Sequence, residues 1–110
     1  MPREYKKLLF DIQTAIIEVE GFILDKSFED YSAGRMLQAA VERELEIIGE
    51  AAKRLRDEFP EVARQISGLD KIIGFRNILA HGYDVISNDI VWKILEIHLP
   101  ALKKETNHLL

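Results

Sequence analysis

Four stretches of this chain repeat their apolar residues at intervals of three and four, and none shows the strict alternation of a half-buried strand. In the first, Leu8, Leu9, Ile12, Ala15, Ile16, Val19, Phe22 and Ile23 fall on one helical face, which predicts a helix from Glu4 to Leu24. After the polar stretch Asp25 to Ser32 comes the longest stripe: Leu37, Ala40, Val41, Leu45, Ile48, Ala51, Ala52 and Leu55, with Ser27 or Ser32 as its candidate cap. Phe59-Pro60 closes that helix, because proline disfavours helical geometry in the residue before it and suits the first turn of a new one. A short helix is expected over Pro60 to Ile66. Ser67-Gly68 breaks the chain again, Asp70 then precedes Ile72, Ile73, Phe75, Ile78 and Leu79, and Gly82 after His81 is a helix stop. Ser87 or Asn88 caps a last helix through Leu102, kinked at Pro100.

Four substantial helices joined by short connections bury these stripes most simply as an antiparallel four-helix bundle with one extra short helix. The fold class is all-α. With 110 residues, no internal repeat and no flexible tract, residues 1–110 form a single domain. The absence of cysteine excludes a disulfide framework, a Cys-ligated zinc site and a thiolate nucleophile. No run approaches the ~18 apolar residues of a membrane span, and Met1 to Phe10 lacks the apolar segment of a signal peptide, so a soluble cytoplasmic protein is expected. A formal charge of −4 argues against coating duplex DNA but allows a small basic pocket on an acidic body.

The last helix carries more apolar surface than one core face uses. Projected at roughly 100° per residue, Ile90, Val91, Trp92, Ile94, Leu95, Ile97, Leu99, Ala101 and Leu102 cover an arc of roughly 220°, against ~100° for one face. Two arrangements cover the excess: burial at the centre of the monomer, or a homodimer, which is the commonest symmetric assembly.

Chemistry concentrates in Gly74-Phe75-Arg76-Asn77-Ile78-Leu79-Ala80-His81-Gly82-Tyr83. Asn77 and His81 are four residues apart on one helix face, Arg76 is adjacent with a long side chain, and Gly82 lets the chain turn Tyr83 back towards them. Arginine offers a planar fork of donors to phosphate oxygens and stays charged throughout a reaction. An imidazole with an ordinary pKa near ~6.5 can take a proton from a ribose 2′-hydroxyl or give one to a leaving oxygen without a metal. Spacing alone nevertheless favours a plainer role for an Arg and a His at a helix end, the capping of carbonyls.

The octet Arg76 to Tyr83 resembles the Arg, four residues, His, one residue, Tyr signature of the HepT toxins, a branch of the HEPN superfamily of helical ribonucleases. Ala40 to Leu55, Phe59-Pro60-Glu61, Gly74-Phe75, Trp92 and Leu99-Pro100 fit the same family in order along the chain. The resemblance implies an all-α dimer whose Arg and His motifs meet in a cleft at the two-fold axis. It implies a metal-independent endoribonuclease toxin in which Arg76 and His81 are catalytic. Asn77 then orients His81 or binds substrate, or else simply bonds nearby backbone, and Tyr83 stacks a base or donates its hydroxyl to substrate. It further implies a nucleotidyltransferase antitoxin of the MntA type that attaches AMP to Tyr83, putting a phosphate beside Arg76 and His81 to block the cleft.

The alternative is a catalytically silent helical partner or substrate-binding module of a nucleotidyltransferase, which the acidic charge favours and the Arg76, His81, Tyr83 combination does not. No metal or other cofactor is expected, since neither His98 nor His108 has ligand spacing with His81. His98 reads as an interior or interface histidine and His108 as part of a frayed terminus. The alternating charges Glu42, Arg43, Glu44, Glu46, Glu50, Lys53, Arg54 and Arg56 read as a solvated helix face.

Overall fold

In a computed structural model, which describes residues 4–81 and 87–110, the chain is an all-α bundle with no strand among the described residues. The helices are α1 (Glu4–Ile23), α2 (Phe28–Ala33), α3 (Arg35–Glu58), α4 (Pro60–Ala63), α5 (Leu69–His81), α6 (Asn88–Lys93) and α7 (Leu99–Leu109), the last two joined by a π-helical segment at Ile94–His98. The long helix α3 is the hub, with α1 and α5 packed against it and α7 packed against α1. Leu9, Ile12, Ile16 and Val19 of α1 and Val41, Ile48, Ala52 and Leu55 of α3 are essentially removed from solvent. Each such Leu, Ile or Val contributes roughly 1.5–3 kcal/mol by leaving water.

The polar stretch after α1 is more structured than its composition predicts. Asp25, with φ of 61°, ends α1 in the left-handed region that Asp tolerates, and the Lys26 N–H donates back to Ile23. Ser27 caps α2 rather than α3: its hydroxyl accepts from the Asp30 N–H at 3.1 Å while the Asp30 carboxylate accepts from the Ser27 N–H at 2.9 Å, a reciprocal capping box. Helix α3 instead starts at Gly34 with no side-chain cap, and Ser32 lies within α2. The reason for this extra turn is Tyr31, fully buried and tilted against Trp92 with ring centroids 5.6 Å apart. The short helix after Pro60 ends at Ala63, before Ile66. The expected stop at Gly82 lies outside the described residues.

The last helix departs from the expected simple kink at Pro100. Its irregularity comes one turn earlier, where the Leu99 N–H donates to Ile94 O, five residues back. Pro100 has no N–H to donate and in a regular helix its ring would crowd the carbonyl of residue 96, and the wider turn lies immediately ahead of it. Burial at the centre of the monomer is not what covers the apolar excess. Val91, Ile94, Leu95, Leu99 and Leu102 enter the core, but Ile90 and Ile97 are 55% and 57% exposed.

Candidate functional site

Helices α3 and α5 come into tight contact at Gly49. A Cβ built on that glycine would overlap Cβ and Cγ of Arg76, so only a residue without a side chain lets α5 come this near. The close approach lays the arginine across α3, where its Nη2 forms a 2.8 Å ion pair with Oε2 of Glu50. The Arg76 side chain is 26% exposed, half sunk beside the helix with its head at the surface. Its Nη1 donates to Oδ1 of Asn77 at 3.4 Å, so Asn77 turns towards the arginine and not to nearby backbone. His81 is the last residue of α5, one helical turn beyond Asn77. Tyr83 lies outside the described residues.

Arg76 also stands at the edge of an open groove of about 600 Å³ between α1 and α3. Leu8, Ala15, Ile47 and Ala51 supply apolar wall, and Asp11, Glu18, Glu44, Glu46 and Glu50 with Arg43, Arg54 and Arg76 supply its charged lining. The charge pattern put Glu44 and Glu50 on a solvated face; the structure corrects Glu44 and leaves Glu50 exposed. Glu44 is only 7% exposed, its Oε2 is buried without a hydrogen-bond partner, and burial, followed by the neighbouring Glu18 carboxylate, raises its carboxyl above the ordinary value. Glu50 is the ionic partner of Arg76.

No signal in the charge pattern separates Glu44 from its more exposed neighbours or marks Glu50 as the partner of Arg76, but Gly49 could have been noticed. A glycine in a helix interior costs about 1 kcal/mol relative to alanine, and so calls for a packing reason. Among the described residues, no group of three or more His, Cys, Asp or Glu is arranged to hold a metal ion. No helix is long and apolar enough to cross a membrane among the residues described.

Fold and site together define an α-helical bundle that carries an arginine and a histidine near the end of one helix. The model of the HepT-like ribonuclease family matches residues 12–109, and the chain belongs to that family of endoribonucleases of the HEPN superfamily. It is 35% identical over 103 residues to a Methanocaldococcus jannaschii protein named as an inferred RNase, covering 94% of each chain. It is also 35% identical over 103 residues to a Thermococcus cleftensis protein named probable ribonuclease HepT, covering 94% of this chain and 93% of that one. A Caldanaerobacter subterraneus protein, also named as an inferred RNase, is 34% identical over 110 residues, which is 99% of this chain and 94% of the relative. No solved structure matches the chain significantly.

Proposed function

We propose that this chain is a metal-independent endoribonuclease toxin that cuts RNA through Arg76 and His81. The observation that carries the reading is the Arg76 guanidinium, held by Glu50 at the edge of an open groove and five residues ahead of His81 on the same helix, in a HepT-like chain. Arg76 binds the scissile phosphate and stabilises the charge that builds on its oxygens as a fifth bond forms. One imidazole takes the proton of the ribose 2′-hydroxyl, whose oxygen attacks the adjacent phosphorus. A second proton donor protonates the departing 5′-oxygen, leaving a 2′,3′-cyclic phosphate and a free 5′-hydroxyl.

In this reading the second proton donor is His81 of another copy. Exposed Ile90 and Ile97 supply an apolar surface for that association. Asn77 orients the guanidinium, since its only described side-chain bond is with Arg76. Tyr83 serves as a substrate contact and as the acceptor of AMP from a nucleotidyltransferase antitoxin of the MntA type; an added phosphate on it competes for Arg76.

The test uses purified, unmodified protein with cellular RNA in the presence of a chelator. Cleavage that disappears in Arg76→Ala and in His81→Ala, both still helical and of unchanged mass in solution, supports the reading. RNA left intact by the wild type favours a silent docking partner of the nucleotidyltransferase. A mass gain of one AMP, lost in Tyr83→Phe, tests the regulatory half.

A further inference from the structure

Helix α1 carries a second apolar stripe, on the side turned away from the core. Phe10, Ile17 and Leu24, the last just past the end of the helix, stand seven residues apart and are 62%, 56% and 69% exposed. Thr14 and Gly21 fall between them, so the five positions alternate intervals of four and three, the seam of a helix that pairs with another helix. Helices α3 and α7 pack against α1 elsewhere, and among the described residues nothing buries this seam. Gly21 points the same way. A Cβ built there would meet no atom within 4 Å, so the chain's own packing gives no reason for a glycine in the last turn of α1, where alanine would suit the helix better. A helix laid along the seam could come close at that position, as α5 does at Gly49.

The charges beside the seam select its occupant. Each exposed apolar residue is followed directly by an acid, Asp11 after Phe10, Glu18 after Ile17 and Asp25 after Leu24, so an acidic stripe runs along one flank of the apolar one. Asp11 pairs with Lys7 at 3.1 Å, a solvent-exposed contact that a partner's cation can exchange. Glu18, which lies beside the Glu44 carboxyl, and Asp25 have no ion pair among the described residues. We propose that the outer face of α1 docks a cationic amphipathic helix of another protein, its apolar residues on Phe10, Ile17 and Leu24 and its lysines or arginines on Asp11, Glu18 and Asp25. A second copy of this chain fits less well. Two α1 helices paired antiparallel along the seam would set Glu18 beside Glu18 and Asp11 beside Asp25, and a parallel pair would set Lys7, the next seam position, against Lys7. The acids repel RNA in the same way. The inference uses neither Arg76 nor His81, and it holds whether or not the chain cuts RNA.

The probe is a synthetic helical peptide of about three heptads, with leucines at the same alternating intervals and lysine on both flanks, compared with the same peptide carrying glutamate for lysine. Fluorescence anisotropy of each labelled peptide reads its binding to the whole protein. The lysine peptide is expected to bind at least about tenfold more tightly than the glutamate peptide, and to weaken as salt is raised. Phe10→Ala with Ile17→Ala, which keeps good helix formers in α1, should weaken it at least about tenfold, whereas Ile90→Ala with Ile97→Ala should leave it within about twofold. Asp11→Asn with Asp25→Asn, both at exposed ends of the acidic stripe, should shrink the preference for lysine and gives a second test should the alanine pair lose helicity by circular dichroism. Equal affinity for the two peptides overturns the proposal, because the acidic flank then selects nothing. Lysine-peptide binding that survives Phe10→Ala with Ile17→Ala overturns it too, since net negative charge alone then attracts the peptide. So does sedimentation in which those two changes lower the mass of the wild type, which would give the seam to a second copy.

Discussion

Gly49 of α3 and Arg76 of α5 meet without room between them: the arginine's Cβ and Cγ fill the space where a side chain at position 49 would stand. Glu50, the next residue, then receives the guanidinium in an ion pair of 2.8 Å. One backbone position thus sets both the distance between two helices and the place of the Arg76 guanidinium.

Gly49→Ala should therefore harm stability and activity together. Helix propensity alone would make the change favourable by up to about 1 kcal/mol, but overpacking against Arg76 backbone-proximal atoms costs about 1–3 kcal/mol and wins. Thermal unfolding should show a fall in Tm of several degrees, and RNA cleavage should drop because Arg76 is pushed off Glu50. An unchanged or raised Tm would mean that α5 shifts freely.

Glu50→Gln separates orientation from charge. Glu50 is 51% exposed, so its ion pair with Arg76 contributes no more than about 1 kcal/mol to folding and Tm should barely move. Losing a carboxylate near the phosphate path should lower KM for RNA, while the freer guanidinium should lower kcat. Steady-state cleavage of a short fluorescent RNA reads both constants. A fall in kcat without any change in KM would show that the carboxylate's charge is not felt by substrate.

The Glu44 carboxyl gives the fold a pH signature. Burial first, and the Glu18 carboxylate on α1 second, raise its pKa, whereas Arg43 on α3 pulls the other way. A carboxyl raised in the folded state stabilises the fold below its unfolded value near 4.5, and that contribution is lost as pH climbs through the raised value. Glu44→Gln removes the titration. Its Tm should exceed that of the wild type at neutral pH, and the gap should close as the pH falls towards 4.5. A gap that does not change with pH would contradict the buried, protonation-linked carboxyl.

Ile97→Asp, better combined with Ile90→Asp, should convert a dimer to a monomer. Both isoleucines are more than half exposed on the single chain, so a charge at either position costs the isolated fold little. At the centre of an interface it should weaken association at least about tenfold. Sedimentation of the wild type and the double variant, with helicity checked by circular dichroism, decides the matter. A wild type that is monomeric at high concentration would remove the second His81 from the mechanism.

The long helices were legible because periodicity reports burial directly: Leu8 to Val19, Val41 to Leu55 and Ile72 to Phe75 are all part of one core. Helix α2 was missed because only Tyr31 of its six residues is buried, too few to make a stripe, although Ser27 and Asp30 carry the capping-box spacing. For the site, Arg76 and Asn77 were legible as types at a spacing. Their partners were not, since Glu44 and Glu50 differ from Glu42 and Glu46 only in which way the helix turns them, and that depends on how closely α1 and α5 pack. Gly49 was the one local clue to that packing.

The π-helical turn at Ile94–His98 has a bearing on how such a chain can vary. A turn that holds one residue more than its neighbours resets the azimuth of everything downstream by about 100°. Straightening it with all its residues kept would rotate Leu99, Leu102 and Thr106, all now buried, out of the core together, whereas deleting one residue would restore regular winding and leave them facing inward. The segment thus behaves as a phase adjuster between two halves of one rod, and it tolerates loss of its extra residue better than it tolerates being straightened with that residue kept.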